Sequence, residues 1–200
     1  LTRAETPGPM FFKLVPKQAQ TSKILYTIYC VMTLVEILLL RLAGMPLYDA
    51  VVHAFSVAGT GGFSSRTASF GYYANPAVDI IVSVSVLVFS INFTLFYLAL
   101  HRRFREILKN EELRFFLGVV GSATVLIALT LFPWHNGLLP SLRYAFFHVT
   151  SIISTSGFFT EDYALWPAFS QMILIFLMFC GTCSNSTGGG IKCSRILILL

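Results

Sequence analysis

Charge is what this sequence has least of. Only 12% of its 200 residues are Asp, Glu, Lys or Arg, about half the share of an ordinary soluble domain. Thiols are also few: Cys30, Cys180, Cys183 and Cys193. Cys180-Gly181-Thr182-Cys183 has the C-x-x-C spacing of a redox pair or half a zinc site, but no second pair of Cys or His completes a tetrahedral set. The reading taken is small apolar fillers in a membrane helix. No nucleophile sits with a base, and no acid is paired with a base, so a covalent enzyme mechanism has no candidates. A diffuse basic face is missing too, which excludes nucleic acid as a partner. No signal peptide is visible: the chain opens on Leu1, and its first stretch is polar, with Pro7, Pro9 and Pro16. It stops within the apolar run Ile196 to Leu200, and both ends read as cuts within a longer protein.

What is present is hydrocarbon. Hydrophobic residues make up 56% of the chain, nineteen of them Phe. Residues 1–22 read as a polar loop. Ile24 to Leu42 is close to the ~20 residues that carry a helix across a bilayer. Glu36 within it should face protein or water, and Arg41 can reach the interface. After Gly44-Met45-Pro46, Tyr48 to Val57 is apolar but too short to span and reads as a re-entrant half-helix. Ala58 to Ser65 is too rich in glycine to stay helical, and a loop runs from Arg66 to Pro76. Ala77 to Leu100 is expected to cross as one long helix. The order then starts again: Leu113 to Leu131 spans, Pro133 to Pro140 turns, and Ser141 caps a short helix to Ile153. Ser154 to Phe158 and a loop to Pro167 follow. A final run, Ala168 to Cys180, breaks at Gly181 to Gly190 and resumes at Cys193.

The two halves are a repeat. At an offset of 95, Ala50, His53, Ser56, Thr60, Gly62 and Phe63 meet Ala145, His148, Ser151, Thr155, Gly157 and Phe158 without a gap. Identity clusters where backbone geometry is special. Nine of the fourteen Lys and Arg lie in two stretches, Arg3 to Lys23 and Arg102 to Arg114. The positive-inside rule makes these cytoplasmic and puts both glycine loops outside, so the repeats run parallel.

Irregular backbone at membrane depth is tolerated only where it is buried in protein or lines water. A half-helix that aims its C-terminus at such a loop favours a cation, and loop carbonyls can replace the cation's hydration shell. Thr60-Gly61-Gly62-Phe63 and Thr155-Ser156-Gly157-Phe158 share the Thr-x-Gly-aromatic start of the Thr-Val-Gly-Tyr-Gly loops of potassium channels. Neither has the final glycine, which points to a shorter filter.

His53-Ala54-Phe55-Ser56 leading to Gly61-Gly62-Phe63-Ser64, then Ser154 to Phe158 with Asp162-Tyr163, then Gly181 to Lys192, resemble the Trk/Ktr/HKT superfamily of cation transporters, in particular its bacterial TrkH-type potassium uptake subunits. The resemblance covers nearly the whole chain. It implies an all-α membrane protein of helix, pore helix, filter loop and helix units, four of them around one pore. Residues 23–100 would be the second unit and 113–200 most of the third, with 101–112 a basic cytoplasmic loop. It implies potassium as the transported ion, bound by Thr60, Gly61, Gly62, Thr155, Ser156 and Gly157, with no organic cofactor. The aromatics Phe63 and Phe158 complete the filter motifs. Further implications are a bacterial inner-membrane location in contact with lipid, a cytoplasmic nucleotide-binding regulatory subunit of the TrkA type, and a homodimer of the full-length protein.

Three readings compete for 181–190. A phosphate loop fails because Ile191 separates Gly190 from Lys192 and no strand precedes it. A packing kink is the second. The third, which the resemblance supports, is a gate below the filter made of Gly181, Ser184, Asn185, Ser186, Thr187, Gly188, Gly189 and Gly190, with Lys192 beside it. Its hydroxyls and amide would satisfy freed backbone groups and face water. His53 and His148 read as hydrogen-bonding within the pore helices. Asn92 reads as an interhelical bond, and Glu161 and Asp162 as either a cation-drawing mouth or a solvated loop. Lys192 can snorkel or pair with a carboxylate. The rival functions are a sodium-selective or potassium–sodium coupled carrier and, from another class, a membrane enzyme or phosphate-handling ATPase subunit.

Overall fold

The computed structural model describes residues 18–135 and 137–199. Helix α1 (Gln18–Leu42) starts five residues before the expected Lys23, since Gln18, Ala19 and Gln20 are good helix formers. The rest of the expected loop, 1–17, lies outside the described residues. α1 ends at Gly44, whose φ of +95° is left-handed. The Met45 amide bonds Leu40 O at 3.1 Å and the Gly44 amide bonds Arg41 O at 3.1 Å, a Schellman-type close. Arg41 turns back and donates to Met45 O. Glu36 is 2% exposed, so it does face protein.

Pro46 starts α2 (Leu47–Ala58), the expected half-helix. α3 (Pro76–Phe89) begins with Pro76 in its first turn and with the Asn75 side chain accepting from the Ala77 amide, the favoured N-terminal arrangement. It does not continue to Leu100. The chain bends by 94° before α4 (Phe93–Leu100). Part of the physical reason is local and polar. Ser90 Oγ bonds back to Val86 O, and Asn92 leaves helical angles and caps α4 by accepting from the Thr94 amide at 2.9 Å. Asn92 is therefore a cap, not an interhelical bond.

A short α5 (Phe104–Leu108) crosses the basic stretch. In α6 (Glu111–His135) the Asn110 side chain accepts from the Leu113 amide, and the helix runs through Pro133 rather than turning there. A proline in the last turn removes only the bond that the amide of residue 133 would donate. α7 (Leu138–Ile153) starts after Gly137. Ser141 lies inside it and bonds back to Gly137 O at 2.8 Å, so it is not the cap expected of it. α8 (Ala168–Phe179) and α9 (Cys193–Leu199) flank the interrupted segment.

Among the described residues, α1 from Ser22 and α6 are long and apolar enough to cross a membrane, and the bent α3–α4 pair passes as a third. One buried cluster joins α6, α7 and α8 through Phe116, Ile127, Leu131, Ile153 and Leu174. The other surrounds α2 and α3, yet it takes in Phe147 and Phe158 from the second half. The two repeats therefore share core instead of standing side by side. Leu34, Leu38, Leu129, Phe169 and Phe176 remain exposed, as a lipid-facing surface requires.

Candidate functional site

Both half-helices end in the same irregular turn. Thr60 and Thr155 take left-handed φ of +48° and +63°, and Gly62 and Gly157 take +72° and +77°. For a threonine this costs of order 1 kcal/mol, so the surrounding bonds must hold it. They do so equivalently: the Gly61 amide bonds Ser56 O at 2.7 Å and the Ser156 amide bonds Ser151 O at 3.0 Å. Each turn follows a helix C-terminus, where the partial charge is negative. Peptide oxygens and threonine hydroxyls at that end are suitable ligands for a monovalent cation.

The turns meet. A Cβ built on Gly62 would lie 1.9 Å from Ser156 O, whereas one on Gly157 would meet nothing within 4 Å. The aromatics differ more. Phe158 is 1% exposed and packs edge-on against Phe70 of the first repeat, with ring centroids 4.9 Å apart. Phe63, its counterpart, is 76% exposed.

The interrupted segment is a closed loop seated against both turns. At its neck the Gly181 amide bonds Ile191 O at 2.8 Å, and a Cβ on Gly181 would lie 2.6 Å from Gly189 O, so only glycine lets the two segments lie this close. Gly190 is left-handed at φ +77°. Thr60 Oγ1 shares its proton between Gly59 O at 2.8 Å and Thr187 O at 3.2 Å, and the Gly189 amide donates to Thr155 Oγ1 at 2.9 Å. Gly188 is packed between Thr182 and Ser154 O, and its carbonyl accepts from Lys192 Nζ. Ser186 Oγ donates to Cys183 O. Ser184 is held from α6: its amide and that of Ser194 both donate to Glu112 Oε1, at 2.6 and 3.2 Å, and the Ser184 and Ser194 hydroxyls bond each other. Asn185 O accepts from the Phe93 amide at 3.1 Å, while the Cys183 and Thr187 amides donate to Ser90 O and Phe89 O. The Ser186 and Thr187 hydroxyls reach backbone oxygens, those of Cys183 and Phe89, whereas the Ser184 hydroxyl and the Asn185 amide bond side chains; the α3–α4 bend is met mainly by the loop's own backbone groups. Asn185, Gly189 and Gly190 are also exposed.

Behind the turns the histidines act as staples. His53 Nδ1 bonds Asp49 O at 2.7 Å and its Nε2 bonds Ser64 Oγ at 2.8 Å. The assignment that satisfies both is Nδ1–H donating and Nε2 accepting. His148 Nδ1 bonds Tyr144 O at 2.9 Å, and Nε2 approaches Glu161 O at 3.3 Å. Glu161 accepts from Trp166 Nε1 and pairs with His135, and Asp162 caps the turn at Tyr163–Leu165. Both acids are tied into the loop, Glu161 half-buried and Asp162 exposed to solvent. At the first residues of α2, which does not cross the membrane, Ser65 Oγ donates to Asp49 at 2.7 Å and Arg66 Nη2 at 2.9 Å. The Ser65 hydroxyl and then Arg66 hold the Asp49 carboxyl down at about 2. Among the described residues an ion pair joins the repeats: Arg143 of α7 reaches Asp79 of α3 at 3.4 Å.

The sequence did not reveal the Glu112 clip, the bend or the Asp79–Arg143 pair. Ser90-Ile91-Asn92 carried a legible signal, since Asn before an apolar run is an N-cap pattern. The two pairings carried none, because they join residues 72 and 64 positions apart.

A family model described as "TrkH: Cation transport protein" matches residues 13–200. The Trk system potassium uptake protein TrkH of Salmonella typhimurium (strain LT2) is 39% identical across the whole chain, and TrkG of Escherichia coli (strain K12) is 38% identical. The crystal structure of the potassium transporter TrkH from Vibrio parahaemolyticus superposes with a TM-score of 0.86 at 36% identity, over 92% of this chain and 41% of that one. The chain spans about two fifths of these relatives, 42% of the length of each of the two curated ones. With its helix, pore-helix and loop units matched along nearly its full length, the chain belongs to the TrkH family of cation transport proteins.

Proposed function

We propose that this chain is part of a potassium uptake pore, in which Thr60 to Gly62 and Thr155 to Gly157 supply carbonyl and hydroxyl oxygens to a dehydrated ion. The observation that carries this is the pair of equivalent left-handed Thr-x-Gly turns, each on a half-helix C-terminus, adjoining at Gly62 and Ser156. The names of the relatives favour potassium. The loop 181–190 is the gate: it occupies the hydroxyls of Thr60 and Thr155 and so closes the helix-side end of both turns. In the full-length protein a cytoplasmic nucleotide-binding ring of the TrkA type sets its position, two copies pair in the inner membrane, and the basic stretches face the cytoplasm.

Rubidium uptake by the full-length protein with sodium as competitor tests the ion assignment. Excess potassium should suppress uptake and equal sodium should not; equal suppression favours a sodium-permeable or coupled carrier. Deleting Ser184 to Gly188 should raise uptake, and an unchanged rate removes the gate assignment.

A further inference from the structure

The bend between α3 and α4 and the loop 181–190 share one set of hydrogen bonds. Phe89 O accepts from the Thr187 amide and hydroxyl, and Ser90 O accepts from the Cys183 amide. The Phe93 amide donates to Asn185 O at 3.1 Å, and the Thr94 amide donates to the Asn92 side chain. Asn185 Nδ2 adds a bond to Thr94 Oγ1. In an unbroken α-helix each amide bonds the carbonyl four residues earlier. Phe93 N–H would then meet Phe89 O, and Thr94 N–H would meet Ser90 O. The loop satisfies Phe89 O, Ser90 O and Phe93 N–H, and the Asn92 side chain satisfies Thr94 N–H; these are the two donor–acceptor pairs that would close on one another if the bend straightened.

We propose that α3–α4 is a second moving part of the gate, which exchanges its bonds to the loop for intrahelical ones when the loop leaves the pore. This rests on the reading of 181–190 as a gate. Buried backbone groups cannot be left unpaired at membrane depth, so loop departure without straightening strands Phe89 O, Ser90 O and Phe93 N–H. Straightening without loop departure strands the Cys183 and Thr187 amides. Each intermediate is costly, and the two arrangements form a bistable element with few bonds lost in either state. Once outside, the loop's own groups are hydrated by the pore.

Two features favour the bent form while the loop is seated. The Asn92 cap is available only in that form. Phe93, 7% exposed, packs near Tyr29 of α1 with ring centroids 6.3 Å apart, and straightening withdraws it. Asn92 is thus a positioning residue of the closed state.

Spin labels at Ile80→Cys and Leu100→Cys in the full-length protein, with other reactive cysteines replaced, read the bend directly. A 94° bend places these backbones about 21 Å apart, and a continuous helix places them about 30 Å apart. Deleting Ser184 to Gly188 should move the distance distribution to the longer value. Asn92→Leu, which leaves the loop intact, should populate it and raise basal rubidium uptake about five-fold, the shift expected from losing one N-cap. A distance that stays near the shorter value in both variants overturns the exchange. If uptake rises while the bend persists, the gate stands and the exchange fails; if the bend opens while uptake stays unchanged, the exchange stands and the gate reading fails.

Discussion

A methyl group on Gly62 would lie 1.9 Å from Ser156 O, while on Gly157 it would enter open space. Both positions have left-handed φ, so alanine pays about 1 kcal/mol of backbone strain at either. Only at Gly62 must the second turn also move away. Gly62→Ala should therefore lower the melting temperature of the purified full-length protein more than Gly157→Ala, and equal losses would contradict the close approach. Gly157→Ala, which fits apart from its backbone angle, should leave expression intact and change the ratio of sodium to rubidium flux.

Asp49 allows a prediction in pH. Its carboxyl titrates at about 2 in the fold, below the ordinary 3.8, chiefly through the Ser65 hydroxyl and then Arg66. A depressed value means that the stabilisation is fully present above about pH 4 and fades as pH falls toward 2. Asp49→Asn should therefore lower thermal stability by a constant amount between pH 5 and 8, as acceptor strength and the Arg66 charge pair are lost. That difference should shrink below pH 4. A difference that persists undiminished in acid would place the effect in packing instead.

Among the elements, α3 and α7 carry the contact between repeats. Asp79 is 4% exposed, and Arg143 is its ion-pair partner across this contact. Breaking a buried pair from one side leaves an uncompensated charge, typically costing 3–5 kcal/mol; with Arg143 partly exposed, about 2 kcal/mol is expected. Arg143→Met should destabilise by that order, and Asp79→Asn in the same chain should recover most of it. Equal losses in the single and double variants would show that the pair does not join the repeats. The alternation of apolar half-helix and glycine turn made α2 and α7 legible in the sequence, because local pattern suffices for a helix and its end. The bend escaped a reading based on hydropathy, since Ala77 to Leu100 is apolar throughout most of its length. A Ser and an Asn two residues apart decide its course only when the loop from residues 181–190 is there to receive the broken backbone bonds.

In the whole molecule, the offset of 95 has a further consequence. Phe158 of the second repeat packs on Phe70 of the first. The residues equivalent to these across the repeat, Phe63 and Leu165, are 76% and 68% exposed. If four such units surround one pore, the same contact recurs at each junction and covers both side chains. In the full-length protein a cysteine at position 63 should resist maleimide as a buried residue does, and rapid labelling would argue against the ring.

The amino-acid order alone determined that the chain enters a membrane, that it repeats, and where its helices yield to glycine turns. These follow from hydropathy and from backbone freedom, which are properties of neighbouring residues. Tertiary structure decided that the two turns touch, that Glu112 clips the loop at Ser184 and Ser194, and that the loop completes the bend of another repeat. Those contacts depend on which distant donors and acceptors reach hydrogen-bonding distance, and that is fixed only when the helices pack.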